Sequence, residues 1–201
     1  MRKAGYSIVI VAFVFLALSF TTNTKTNSPS TIDGAVEWLT IEEAITLAQK
    51  EPKKIFIDVY TEWCGWCKTM DKNTFQNPTI AKYLNENYYS VKFDAEYKED
   101  IVFNGKTYKF IKNGRRGYHE LAAELVRGRL SFPTTVFLDE EQRLIQPIPG
   151  YKDPEMFEQI ISYFGEDMHK KMPWEKYQRE FKKKKAQSTP KEPLEPLLIK
   201  H

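Results

Sequence analysis

The apolar and polar positions of this chain fall into short segments whose period switches between two and about three and a half. The first segment is an apolar run from Ile8 to Leu18 behind Met1-Arg2-Lys3, followed by the polar stretch Thr21 to Ser30. A cationic start, an apolar centre and the small residues Ala17 and Ser19 ahead of a polar region form the layout of an export signal. The run falls short of the ~20 residues of a comfortable membrane span. Residues 1–20 are therefore read as a signal peptide, with an uncleaved anchor over residues 8–20 as the alternative. In either case Arg2 and Lys3 stay inside and the rest lies outside. Residues 21–31, almost without apolar side chains, are expected to be a linker, with order beginning near Ile32.

Beyond the linker the periods alternate. Val36, Trp38 and Leu39 predict a short strand, and Thr40 with Glu43 forms a capping box for a helix with Ala44, Ile45, Leu47 and Ala48 on its inner face. Pro52 ends that helix. Lys54 to Tyr60 is an apolar run rich in β-branched and aromatic residues, which predicts a central buried strand. A helix is expected from Cys64 to about Phe75, and Asn77-Pro78 stops it and starts another with Ile80, Ala81 and Leu84 inward. Tyr89 to Asp94 is the next strand, and strand, helix, strand at this length predicts a parallel, right-handed crossover.

Ile101 to Phe103 and Thr107 to Phe110 flank Asn104-Gly105, a strong hairpin signal. Gly114-Arg115-Arg116-Gly117 then leads to a helix expected from about Tyr118 to Arg127, with Leu121, Ala122 and Leu125 as its apolar stripe. Thr134 to Leu138 and Leu144 to Ile148 predict two antiparallel strands. A helix after Asp153-Pro154 turns Met156, Phe157, Ile160, Ile161 and Phe164 inward. Another is expected from about Trp174 to Lys184, packing through Trp174, Tyr177 and Phe181. Residues 186–201, with Pro190, Pro193 and Pro196, are read as a tail. This order predicts an α/β fold with a mixed central sheet covered on both faces.

Composition narrows the options. With 201 residues, 41% of them apolar, the chain has material for one core. Its thirty basic and twenty-seven acidic residues are interspersed, so the net charge of +3 points to no nucleic-acid partner. The only two cysteines, Cys64 and Cys67, exclude a disulfide framework, and the loop between them is too small to constrain the unfolded chain much. His119, His169 and His201 have no ligand spacing that would complete a zinc site with them, and Lys68 stands where haem attachment wants histidine. No metal and no cofactor are expected.

What remains is thiol chemistry. A sulfur at a helix N-terminus faces unpaired backbone N–H groups and the positive end of the helix dipole, which favour its thiolate. Cys64 is thus the candidate nucleophile. Cys67, one turn later, is placed to attack a mixed disulfide and release its partner.

The segment Asp58-Val59-Tyr60-Thr61-Glu62-Trp63-Cys64-Gly65-Trp66-Cys67-Lys68 closely resembles the active-site segment of thioredoxins, and the resemblance runs from about Trp38 to Phe164. Thr74-Phe75-Gln76-Asn77-Pro78 is similar to the exported thioredoxin-like proteins, including the C-terminal thioredoxin domain of the membrane thiol reductase of the periplasm. The resemblance implies a thioredoxin fold over residues 32–165, with a hairpin insert at 97–117 and a helical extension at 166–185. It implies that Cys64 attacks, that Cys67 resolves, and that Asp58 is a buried proton acceptor acting through water. Pro133, in Phe132-Pro133-Thr134, matches the cis-proline that lies against the dithiol and pairs with substrate backbone. Gly150 matches a glycine bordering the same groove, and Trp63, Gly65, Trp66, Phe132 and Thr134 complete the implied substrate surface.

Two departures stand out: Trp66 replaces the usual proline, and Phe132 replaces a smaller residue. The lysine that often faces the buried carboxylate is expected at Ser90, or displaced to Lys92. The hairpin insert, with Lys112, Arg115 and Arg116, is expected either to form a partner-docking surface or simply to cover the sheet edge.

The function implied is a thiol–disulfide oxidoreductase, needing no small-molecule cofactor, that reduces disulfides of exported proteins with electrons from a membrane or envelope donor. It would work as a monomer in the periplasm or at the outer face of the cytoplasmic membrane. The alternatives are a disulfide oxidase or isomerase, or a non-catalytic thioredoxin-fold module of an envelope assembly.

Overall fold

A computed structural model describes residues 34–188. The chain divides into Met1–Ser30 and Thr31–His201, and every described residue belongs to the second unit. The expected signal or anchor, the linker and residues 189–201 of the expected tail lie outside the described residues.

The elements follow the predicted order: β1 (Trp38–Leu39), α1 (Ile41–Lys50), β2 (Lys54–Tyr60), α2 (Gly65–Met70) and a π-helical turn over Asp71–Phe75. Then come α3 (Pro78–Asn87), β3 (Tyr88–Asp94), β4 (Ile101–Phe103), β5 (Lys106–Tyr108), β6 (Phe110–Asn113), β7 (Arg116–His119) and α4 (Glu120–Leu125). The chain continues through β8 (Thr134–Leu138), β9 (Leu144–Pro149), α5 (Pro154–Gly165) and α6 (Trp174–Ser188). The main sheet has the order β1-β3-β2-β8-β9, with β2 in the middle, parallel to β3 and antiparallel to β8.

Alternation along β2 divides the core into two layers. Ile55, Ile57 and Val59 face a cluster built with α1, α4 and the β4–β5 hairpin. Phe56 faces the opposite layer, where Met70, Phe75, Ile80, Leu84, Phe137, Phe157 and Ile161 pack around it. Phe56 alone lies against the rings of Phe75, Phe137 and Phe157 at 5.5–5.8 Å between centroids. Asp58 shares the side of the strand taken by Phe56. A carboxylate is therefore aimed into the aromatic layer that α2 covers.

The helix starts are made as the sequence predicts. Thr40 and Glu43 close the capping box of α1, and Asn77 accepts from the first N–H groups of α3 ahead of Pro78. One face differs from expectation: Ile41, Ala44 and Ala48 are the buried residues of α1, while Leu47 is exposed. The stripe is thus narrower than the apolar residues alone imply. At the other end α6 packs on α5 through Tyr177, with Trp174 and Phe181 partly buried. It runs two turns' worth of lysine past the core to Ser188, so the helix overlaps the start of the expected tail. Lys54, a buried cation at the start of β2, holds this end in place by pairing with Glu140 at 2.6 Å and Asp167 at 3.2 Å.

The insert contains two hairpins, where one was expected. The β4–β5 pair buries Ile101, Phe103 and Tyr108 in the α1 and α4 layer, so it covers the core. The helix expected from about Tyr118 forms but starts at Glu120, because Tyr118 and His119 belong to a second hairpin, β6–β7, which turns at Gly114 and pairs Asn113 with Arg116 and Lys112 with Gly117. Glycine is required at 117, because a Cβ there would stand 2.2 Å from the Phe110 ring and 2.5 Å from the Ile111 carbonyl oxygen.

His119 ends β7 and caps α4. Its Nδ1 accepts from the Leu121 N–H at 3.2 Å and its Nε2 lies 3.1 Å from the Glu99 carbonyl, so Nε2 carries the proton of a neutral ring. Burial holds its pKa below the ordinary 6.5. This contribution is fully present above 6.5 and is lost as pH falls through the lowered value. His119→Leu leaves the Leu121 N–H and the Glu99 carbonyl without their partner. Urea unfolding at pH 7.5 is expected to show a loss of about 1–3 kcal/mol, with a flatter pH dependence below 6.5.

Candidate active site

Thr61-Glu62-Trp63 carries the chain from the C-terminal end of β2 into α2, and the Cys64 N–H donates to the Thr61 carbonyl at 3.0 Å. Cys64 is the N-cap of α2, and its Sγ accepts the backbone N–H of Cys67 at 3.1 Å. Cys64 and Cys67 are joined in a disulfide, so Cys64 Sγ marks the place that its thiolate would take after reduction. α2 and the π-helical turn make one helical stretch from Gly65 to Phe75, and its peptide dipoles end on that sulfur. Cys67 is 2% exposed and Cys64 6%, so the second sulfur is the deeper of the two.

Phe132-Pro133 is a cis peptide immediately before β8. Since Thr134 pairs with Val59, Pro133 comes level with the end of β2 where the cysteine loop begins. The Pro133 carbonyl accepts from the N–H of Gly150 at 2.8 Å, and Gly150 has φ +84°, a conformation that favours glycine. Thr134 is buried, and its hydroxyl donates to the Ser131 carbonyl at 2.7 Å. Its side chain therefore supports the turn and is not presented at the surface. Trp63 and Trp66 are 52% and 64% exposed, large for rings beside a buried dithiol. Trp63 meets Phe132 edge to face at 6.1 Å, and Trp66 lies 5.5 Å from Tyr151. At Gly65 an added Cβ would meet nothing within 4 Å, so the surface next to Cys64 is open.

Asp58 is 1% exposed. Its Oδ2 pairs with Lys92 Nζ at 2.7 Å, while Oδ1 has no protein hydrogen-bond partner. Burial raises its pKa from 3.8 to about 6; Lys92 opposes that rise, and Asp71 adds to it. Lys92 also pairs with Asp71 at the start of the π-helical turn, and its ammonium stands 5.0–5.2 Å from the ring centres of Trp38, Tyr60 and Phe75. Lys92 is thus a cation in an aromatic cage shared between two carboxylates.

This settles the expected lysine: Ser90 is buried opposite Phe56, and Lys92 is the direct ladder partner of Asp58. β2 and β3 each have seven residues and pair end to end, which places the fifth residue of one beside the fifth of the other. The available signal was the strand ends, since setting Tyr60 level with Asp94 puts Lys92 beside Asp58. Replacing Lys92 with methionine removes the charge that favours the Asp58 carboxylate, so the Asp58 pKa is expected to move above about 6. Thiol–disulfide exchange followed across pH should show its Asp58 limb shifted to higher pH, with little change well above it.

Sequence reasoning placed Arg116 in the insert but missed its contact with Trp63, and it missed Glu96. The Arg116 guanidinium carbon lies 4.4 Å from the Trp63 ring centre, and Trp63 Nε1 donates to Glu96 at 3.1 Å. Next to this group is a cavity of about 220 Å³, lined by Trp63, Phe132, Tyr118, Leu130 and Arg116 among others. An apolar cavity of about 640 Å³ between β9, α5 and α6 contains neither cysteine.

A dithiol at a helix N-terminus, over a buried carboxylate and beside a cis-proline, defines the class as a thioredoxin-fold dithiol–disulfide protein. The chain belongs to the thioredoxin-like domain family, whose model matches residues 41–165, a family of thiol–disulfide oxidoreductases. Over 60 residues it is 43% identical to spermatogenesis-associated protein 20 of Rattus norvegicus, which is 30% of this chain and 8% of that protein. Over 93 residues it is 32% identical to the thiol:disulfide interchange protein DsbD of Haemophilus ducreyi, which is 42% of this chain and 16% of that one. The chain thus spans a small part of these curated relatives. A thioredoxin-fold protein from Helicobacter pylori superposes with a TM-score of 0.53 at 19% identity, covering 68% of this chain and 87% of that one. That likeness is one of fold.

Proposed function

We propose that this protein is an exported protein-disulfide reductase acting through Cys64 and Cys67. The observation that carries the reading is the Cys67 N–H aimed at Cys64 Sγ, at the end of a helix laid over a buried, half-paired carboxylate.

In the reduced form the Cys64 thiolate attacks one sulfur of a substrate disulfide. A sulfur–sulfur bond forms to Cys64, the substrate bond breaks, and the departing substrate sulfur takes a proton. The Cys67 thiol then gives its proton toward the Asp58 carboxylate and attacks Cys64 Sγ, which closes the Cys64–Cys67 disulfide and expels the second substrate thiolate. In sum, two substrate sulfurs are reduced and the two cysteines oxidised. An exogenous dithiol must reverse the second change before another turnover.

Reduction is favoured over oxidation because a strong oxidant needs an exceptionally stable thiolate, and only the helix end supplies one here. Glu62 stands close by with the opposite effect. The layout of Met1 to Ser19, together with the interchange-protein relative, supports action in the periplasm or at the outer face of the cytoplasmic membrane. Among the described residues no helix is long and apolar enough to cross a membrane.

The test is the reduction potential of the pair, measured by equilibration with glutathione buffers, alongside catalysis of protein-disulfide reduction by dithiothreitol. A potential near thioredoxin's ~−270 mV with catalysis supports a reductase. One near ~−120 mV assigns the protein to the oxidases.

A further inference from the structure

The β6–β7 hairpin brings beside the cysteine loop cations that form no ion pair among the described residues. Arg115 sits at its turn and Arg116 on the face that lines the 220 Å³ cavity with Asn113 and Tyr118. Lys112 pairs with Gly117 and so occupies the other face. Among the described residues neither Arg115 nor Arg116 has an ion pair, and Arg116 is held only by the face of Trp63. Of the nearby carboxylates, Glu96 lines the same cavity but forms no ion pair with either arginine. Asp94 accepts from the Glu96 N–H, Glu96 accepts from Trp63, and Glu62 accepts from the Tyr60 hydroxyl.

The cavity between Arg116 and the cis-proline segment has an apolar floor of Trp63, Phe132 and Leu130, and it adjoins Thr61 at the start of the cysteine loop. A guanidinium stacked on an indole keeps its N–H edge free for a planar carboxylate, and the stacking fixes the direction of that edge.

Resting on the reductase reading above, we infer that the β6–β7 hairpin selects substrate polypeptides with an acidic residue within a few positions of the reactive cysteine, bound by Arg116 at the cavity beside Trp63, with Arg115 at the adjoining turn adding to the attraction. An apolar neighbour of that residue would enter the cavity. Selectivity then acts mainly on encounter and binding, so it weakens as salt rises.

The experiment compares two disulfide-linked peptides that differ only in carrying Glu or Lys beside the cysteine. Each is reduced by the full chain in its dithiol form, with bis(2-hydroxyethyl) disulfide as an uncharged control. The ratio of kcat/KM, acidic over basic, is expected to be ~10 or more at low salt and to shrink at 0.5 M NaCl. It should fall toward one in Arg116→Gln and invert in the double variant R115E/R116E. Arg116→Lys should keep only part of it. Reduction of the uncharged disulfide without any difference between the peptides overturns this inference and leaves the reductase reading standing. Failure on all three disulfides overturns the reductase reading itself. Equal peptide rates, with R115E/R116E losing sedimentation with phosphatidylglycerol vesicles, would assign the hairpin to a lipid surface and overturn the inference as well.

Discussion

Cys64→Ser is expected to lower catalysed disulfide exchange to the uncatalysed rate, whereas Cys67→Ser stops it after one half-reaction with the substrate still attached. The difference follows from position. Cys64 Sγ is the sulfur that meets the helix end, so without it no mixed disulfide forms. Cys67 lies deeper, and without it the mixed disulfide forms but has no neighbouring thiol to break it. Mass spectrometry of the Cys67→Ser protein after exposure to an oxidised substrate should find one substrate joined through Cys64. The same exposure of Cys64→Ser should leave little attached. Equal trapping by both variants would mean that the order of attack is wrong.

Asp58→Asn is expected to make the protein more stable and slower. Burial raises the Asp58 pKa to about 6 from 3.8, so the folded state holds this proton more tightly than the unfolded chain does. A group raised in this way contributes its stability below pH 3.8 and loses it as pH climbs through about 6. At pH 7 the loss amounts to about 3 kcal/mol, from a difference of ~2 pH units at ~1.4 kcal/mol each. Asparagine carries no such penalty, so urea unfolding at pH 7 should favour the variant, and the two proteins should converge near pH 4. The resolving step should slow at the same time, because general-base contributions are commonly ~10²–10⁴-fold and a water-relayed one falls toward the low end. A variant both slower and less stable would mean that Asp58 serves mainly to anchor Lys92.

Much of this framework is local, which is why it could be read along the chain. The Thr40 and Glu43 cap, the Asn77-Pro78 break and the Asn104-Gly105 turn reach their partners within a few residues, and the Lys54 to Tyr60 strand is marked by its own run of β-branched and aromatic residues. The second hairpin turns on Gly114-Arg115, with Asn113 already paired in the strand, and its strands are short and polar. Arg115, Arg116 and Gly117 read as a loop leading to a helix. What draws Arg116 to Gly117 into a strand is the Phe110 ring lying over Gly117, a contact that no periodicity reveals.

The site shows the same division. The cysteines, Asp58 and Pro133 belong to recognisable segments. The Lys92 cage joins β1, β2, β3 and the π-helical turn, and the Arg116 stack joins an insert to the cysteine loop. Both depend on the register of elements distant in sequence, one beside Asp58 and the other beside Trp63. Leu47, exposed on an otherwise correct helix, marks the opposite error, since apolar character alone does not say which side of a stripe the core will take.

The most direct measurement is the thiolate titration of Cys64 in the reduced protein, followed by ultraviolet absorbance and by the pH dependence of alkylation, with Cys67→Ser as the single-thiol reference. A sulfur accepting a helix-terminal N–H should ionise well below the ~8.5 of free cysteine and react correspondingly faster with iodoacetamide near pH 7. A titration midpoint at or above that of free cysteine would contradict the account.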